Sequence, residues 1–320
     1  KFWRKRRYWA GAAAMPTEPR LPNLFLVGAQ KSGTTTLAVM LSQHPEIYMC
    51  QPKEPGYLAF GAAGYRALNG YGRPAAASSW VVASRAEYLG LFQHAPAQAR
   101  YLGDASTWYL SEPGMAARLH NFNAEARILI ILRQPADRAY SAWCHARRDN
   151  EEPYEQFAQA LQAEPERKNP SHLLRYREMS HYLAPVRDYI KQFGRDRVHI
   201  MFYEDLRDRP ESLWRGCCNF LELEPSGRTP APHRQNSSGL PRSRALHRLV
   251  RSPRIKRTAR RLLPLPFVSW AKERIDQSNL RRLPPLPRAE RNALSREFSA
   301  EIEGLMNVTN RNLREWLPDE

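Results

Sequence analysis

Leu24-Phe25-Leu26-Val27-Gly28-Ala29-Gln30-Lys31-Ser32-Gly33-Thr34-Thr35-Thr36 carries the pattern on which the fold turns. Four apolar residues running into Gly28 predict a short buried strand. Leu37, Met40 and Leu41 follow with the spacing of a helix from Thr36 to Ser42. Strand, glycine loop and helix in that order let successive backbone N–H groups converge on an anion, and the helix N-terminus adds positive potential. The glycine spacing is that of GxxxxGK[ST], but Thr34 stands where that pattern has its lysine, and the cation sits inside the loop at Lys31. A lysine there would reach a leaving-group oxygen of a short 5′-phosphate chain rather than β- and γ-phosphates. This departure argues against an ordinary nucleotide triphosphatase.

Working outward, Ile128 to Leu132 is a second apolar run, bounded by Arg127 and Arg133, and Val198 to Tyr203 is a third, ending in Glu204-Asp205. Both read as buried parallel strands. A nucleotide triphosphatase ends such a strand in an Asp for Mg²⁺, whereas this one ends in Arg133, which calls for an anion. Ser141 lies on the helix predicted from Asp137 to Arg148, so arginine and hydroxyl together could grip a second phosphate. Glu46 to Met49 and Tyr101-Leu102 are weaker strands. Further helices are predicted at Arg85 to Phe92, Tyr182 to Phe193 and Glu211 to Leu221. The alternation of strands and helices predicts an α/β three-layer sandwich on a central parallel sheet like that of P-loop NTPases. After Pro225 the chain becomes rich in Pro, Ser, Asn and Arg. Helical spacing returns from Arg288 to Trp316, so the C-terminal part is loop-rich and then helical.

The 320 residues are 42% hydrophobic and 10% aromatic, too apolar for disorder, and 16 Gly with 26 Pro show no collagen-like bias. Forty-nine Lys+Arg against 32 Asp+Glu give +17, a field that favours anionic ligands, nucleic acid or an anionic membrane surface without choosing among them. Nine of these cations fall between Arg242 and Arg261. No base-reading motif or stacking array accompanies them, so nucleic acid gains no specific support. Cys50, Cys144, Cys217 and Cys218 form no CxxC pair, which suggests a reducing compartment such as the cytoplasm. No apolar run approaches the length of a membrane span, and the histidines lack metal-ligand spacing. Residues 1–20 are set aside as a basic extension, with 21–320 read as one domain. The chain begins at Lys1, which is compatible with a preceding anchor or signal, or with a true start at Met15.

These motifs resemble those of the sulfotransferase family, which uses 3′-phosphoadenosine 5′-phosphosulfate (PAPS) as donor and requires no metal. Lys31-Ser32-Gly33-Thr34-Thr35 is similar to the family's 5′-phosphosulfate loop, with Gln30 and Thr36 flanking it. Arg133 through Ser141, RQPADRAYS, is similar to its 3′-phosphate motif. Tyr203-Glu204-Asp205-Leu206 and the segment from Asn236 to Arg244 resemble a strand end and a donor-covering loop, so the resemblance places Asn236 and Arg242 at the donor. The resemblance spans Pro22 to Trp316 and is nearest the branch of bacterial carbohydrate and heparan-sulfate enzymes.

That branch carries its catalytic carboxylate in a segment of the form KEPHFF, and Lys53-Glu54-Pro55-Gly56-Tyr57 stands at that place, with Gly56 and Tyr57 departing from His-Phe. The resemblance therefore implies Glu54 as general base and Lys31 as the cation at the leaving group. Asp104, after a predicted strand, is the reserve carboxylate. The expected reaction moves a sulfuryl group to a hydroxyl or amine of a glycan or glycolipid, or alternatively of a small hydroxylated metabolite. The competing readings are a kinase using ATP and Mg²⁺, and a basic protein that binds nucleic acid or membrane without catalysis.

Overall fold

A strand covered on both faces must be apolar at every position, and LFLVG and RILIIL meet that condition apart from the leading Arg127. The structure, a computed structural model, describes residues 20–76, 80–225, 239–241, 280–282 and 284–319. Strands β1 (Leu24–Gly28), β2 (Ile47–Met49), β3 (Tyr101–Asp104), β4 (Arg127–Leu132) and β5 (Val198–Phe202) form one parallel sheet in the order β2-β3-β1-β4-β5. The helices are α1 (Thr34–Leu41), α2 (Tyr57–Phe60), α3 (Arg85–Gly90), α4 (Met115–Phe122), α5 (Pro135–Arg148), α6 (Phe157–Ala163), α7 (Leu183–Phe193), α8 (Tyr203–Asp208), α9 (Pro210–Phe220), α10 (Arg288–Glu297) and α11 (Ser299–Thr309). A small antiparallel pair, β6 (Gly239–Pro241) and β7 (Leu280–Arg282), interrupts the proline-rich part, where no strand was expected.

Alternate residues of the central strands feed two separate cores. Leu24, Leu26, Leu129 and Ile131 pack with Leu37, Met40 and Leu41 of α1 and with Leu213, Trp214 and Cys217 of α9. Phe25, Val27, Ile128, Ile130 and Leu132 pack with residues of α4, α5 and α7 and with Leu294, Phe298, Ile302 and Leu305 near the C-terminus. Helices on both faces of a parallel sheet make the three-layer α/β sandwich expected from the sequence.

The chain leaves β1 for β2 at one edge and leaves β4 for β5 at the other, so the loops after the neighbouring strands β1 and β4 diverge. A crevice opens at such a switch point, beyond the carboxyl ends of the strands.

Local chemistry sets where elements begin and stop. α5 starts at Pro135, two residues before the expected Asp137, because proline suits the first helical turn and the Gln134 side chain accepts a hydrogen bond from the Asp137 amide at 2.7 Å. The Gln134 amide nitrogen donates to Ser295 Oγ at 2.7 Å and to the Trp316 carbonyl at 3.2 Å, tying the start of α5 to the C-terminal segment. The continuous helical stretch expected from Arg288 to Trp316 is instead α10 and α11 separated at Phe298, whose ring is buried in the core. Asn310 in left-handed conformation ends α11.

Candidate active site

The loop between β1 and α1 is held in shape by its backbone. Ala29 N–H donates to the Ile131 carbonyl at 2.7 Å, and Ser32 N–H to the Ala29 carbonyl at 3.2 Å. Lys31 and Gly33 both have positive φ, 70° and 90°, which turns the chain so that α1 begins immediately beyond the strand. Gly33 provides no side chain to cap α1, and the first turn carries no acidic residue, so the positive end of the helix faces the crevice. A Cβ at Gly33 would lie 2.8 Å from Leu206 Cδ2 and 3.1 Å from Tyr203 Cδ2. Gln30 Oε1 is buried without a hydrogen-bond partner among the described residues, which suits a loop that completes its bonding on a ligand, and the buried Ser32 hydroxyl lies beside the Tyr182 hydroxyl.

Arg133 joins this loop to the end of β4. Its Nη1 donates to the Lys31 carbonyl at 3.2 Å, and its guanidinium lies 4.6 Å from the centre of the Tyr203 ring. Ser141, 6% exposed, follows two turns along α5. His145 lies one further turn along the same face, with Nδ1 2.7 Å from Lys31 Nζ and Nε2 3.3 Å from Asp149 Oδ2. The tautomer that satisfies both carries its proton on Nε2 and accepts from the lysine at Nδ1. Burial and the Lys31 charge push the His145 pKa down to about 4, so the ring is neutral near pH 7. Burial first, then the Arg148 and Arg133 guanidinium groups, push Lys31 down to about 7, with Asp149 and Glu54 acting in the opposite direction.

Glu54 also has positive φ, 62°, and its Oε1 accepts from Lys53 Nζ at 2.7 Å and from Thr107 Oγ1 at 3.0 Å. Burial alone would raise its pKa. The Lys53 ammonium, the two hydrogen bonds and the Lys31 charge outweigh that, so the carboxyl lies below its usual range and is ionised at neutral pH. Thr107, whose hydroxyl donates to Glu54, also lies against the start of the loop, its carbonyl oxygen 3.3 Å from where a Cβ of Gly28 would stand, which brings Glu54 beside the loop that carries Lys31.

Asp104 stands at the end of β3, where the sequence places it, but in a different environment. It is 0% exposed, and its oxygens accept from Ser106 Oγ at 2.7 Å, Tyr88 OH at 2.8 Å and Tyr109 OH at 3.0 Å. Burial raises its pKa to about 6 against the pull of those hydroxyls. A carboxylate so enclosed has no open face for an incoming acceptor hydroxyl.

Lys31, Glu54 and Arg133 are thus brought to one crevice, with Ser32 to Thr36 framing it and Ser141 on the helix beside it. Asn236 and Arg242 lie outside the described residues. Sequence reasoning did not single out His145, Arg148, Asp149 or Thr107. The spacing of His145 four residues after Ser141, one helical turn, was the available signal. Among the described residues there is no group of three His, Cys, Asp or Glu able to hold a metal ion, and no helix long and apolar enough to cross a membrane.

The sequence profile of the Sulfotransferase family matches residues 22–226. A solved sulfotransferase from Alicyclobacillus acidocaldarius is 27% identical, with a TM-score of 0.70 over 93% of this chain and 99% of that one. The bifunctional heparan sulfate N-deacetylase/N-sulfotransferase 1 of Caenorhabditis elegans is 26% identical over 214 residues, 65% of this chain and 23% of that protein. The membrane-associated sulfotransferase kil1 of Dictyostelium discoideum is 29% identical over 123 residues, 38% of this chain and 22% of that protein. The chain therefore spans about a quarter or less of the length of these two curated relatives.

Proposed function

Because the chain belongs to the sulfotransferase family, we propose that it moves a sulfuryl group from PAPS to a hydroxyl or amine of a carbohydrate acceptor, within one domain over residues 21–320. The observation that carries this reading is that Arg133 is fastened to the loop of Lys31 while Thr107, against the start of that loop, holds the ionised Glu54. When bound, the donor supplies a sulfuryl group attached to a phosphate leaving group. The loop from Gln30 to Thr36 binds the 5′ end through backbone N–H groups, the Ser32 hydroxyl and the end of α1. Arg133 and Ser141 hold the 3′-phosphate and orient the nucleotide.

Lys31 faces the bridging oxygen on which negative charge grows as the sulfur–oxygen bond breaks. His145 accepts a hydrogen bond from Lys31 and so aims the ammonium. Glu54 takes the proton from the acceptor oxygen or nitrogen as its new bond to sulfur forms, and a loose transition state asks only a modest base of it. A carbohydrate acceptor is favoured because the Caenorhabditis elegans relative is named for heparan sulfate. Glycolipids and small hydroxylated metabolites form the other arms of an acceptor screen.

Calorimetric titration with 3′-phosphoadenosine 5′-phosphate, against ATP with Mg²⁺, tests the donor. The desulfated donor product is expected to bind at least about tenfold tighter, the equivalent of one charged hydrogen bond. Equal or tighter binding of ATP with Mg²⁺ would refute sulfuryl transfer and return the chain to the kinase reading.

A further inference from the structure

We propose that Asp104 is a positioning residue for Glu54, holding the backbone that carries it through the hydroxyls of Ser106 and Tyr109. The inference rests on the reading of Glu54 as the base. Each of these hydroxyls is used twice. Ser106 donates to Asp104 Oδ1 and accepts from the Gly56 amide at 3.2 Å, and Tyr109 donates to Asp104 Oδ2 and accepts from the Leu58 amide at 3.2 Å. A hydroxyl has one proton, and an ionised carboxylate can only accept. Asp104 therefore draws both protons to itself and turns both hydroxyl oxygens toward the loop amides. An apolar side chain in its place would leave those protons free to point at N–H groups.

The third donor, Tyr88, stacks on Tyr57 with ring centres 4.8 Å apart. The three partners of Asp104 thus grip residues 56, 57 and 58, within four residues of Glu54. The same turn supplies Thr107, which donates to the Glu54 carboxylate itself. Glu54 and Gly56 both sit at positive φ, a backbone that a glutamate does not choose unaided. A fully buried carboxylate is costly to keep, and here its hydrogen bonds converge on the segment that presents the base.

The test is Asp104→Asn, read by amide hydrogen exchange followed by NMR and by turnover with labelled PAPS and N-deacetylated heparosan oligosaccharide. Exchange at Gly56 and Leu58 is expected to quicken about tenfold, the scale of one lost hydrogen bond, while the β4 amides stay protected. Turnover is expected to fall about tenfold with affinity for 3′-phosphoadenosine 5′-phosphate unchanged. The double variant Glu54→Gln/Asp104→Asn should then be no slower than Glu54→Gln alone. Unchanged exchange at both amides, or losses that multiply in the double variant, would overturn the proposal. If Asp104→Asn does not fold, Ser106→Ala leaves the carboxylate intact and is measured in the same way. If Glu54→Gln alone keeps full turnover, the base assignment falls, and exchange at Gly56 and Leu58 still decides whether Asp104 holds the segment.

Discussion

Donor binding should draw a proton onto Lys31. In the free protein its ammonium is partly desolvated and faces Arg148 and Arg133, which together push its pKa down to about 7. An anionic nucleotide in the loop reverses the sign of the local field and restores the charged form. With a free pKa of about 7, about 0.9 of the lysines are already protonated at pH 6 and about 0.1 at pH 8. Binding should therefore take up about 0.1 proton at pH 6 and about 0.9 at pH 8, and this residue alone should weaken affinity about tenfold across that interval. Titrating 3′-phosphoadenosine 5′-phosphate in buffers of different ionisation enthalpy measures the uptake directly. Lys31→Ala is the reference that subtracts the nucleotide's own phosphate titration. An uptake no greater at pH 8 than at pH 6, or one that survives in Lys31→Ala, would refute the reasoning.

Three further outcomes are expected. Glu54→Gln should lower turnover by about 10²- to 10⁴-fold while leaving affinity for 3′-phosphoadenosine 5′-phosphate near normal, as steady-state kinetics beside calorimetry would show. Arg133→Ala should cost about 2–3 kcal/mol in binding that nucleotide and much less for its analogue without the 3′-phosphate, and equal losses for both would remove Arg133 from the 3′ site. Gly33→Ala sets a Cβ against Leu206 at 2.8 Å with φ at +90°, so it should destabilise the fold by about 1–3 kcal/mol in denaturant titration and diminish stabilisation by the nucleotide.

The elements legible in the sequence are those whose cause is local. Strands such as Leu24 to Gly28 and Ile128 to Leu132 show themselves because burial on both faces demands unbroken apolar runs, and the loop between Gly28 and Gly33 because its glycines and lysine follow directly. α4 and α6 escaped the sequence reading, with only Met115, Ala116 and Leu119 in the one and Phe157 and Ala160 in the other to mark the buried face. Within the site, Lys31, Glu54 and Arg133 lie in recognisable motifs. His145 reaches Lys31 across 114 residues of chain, a pairing that only the parallel sheet creates. Asp104 is legible as a carboxylate at a strand end, but nothing local announces that Tyr88, Ser106 and Tyr109 enclose it. The strained backbone is likewise invisible. Among the described residues six non-glycines have positive φ; three are asparagines, which tolerate it, and two of the other three are Lys31 and Glu54.

The bond network of Gln134 bears on where this protein can be divided. Family likeness, as scored by the profile, ends at residue 226, yet the glutamine that opens α5 immediately after Arg133 spends its amide on Ser295 and Trp316. Trp316 also packs edge-on to Phe202 at the end of β5, and Arg291 lies 3.4 Å from Asp137 in the first turn of α5. A polypeptide cut where the profile ends would keep the loop from Gln30 to Thr36, Lys53-Glu54 and the run from Arg133 to Ser141, and still strip the start of α5 of its partners, uncovering Phe202 beside it. The end of the profile and the end of the shared core are different lines along this chain, and a protease or a gene fusion that mistakes one for the other would disturb the proposed 3′-phosphate site without touching Arg133 or Ser141.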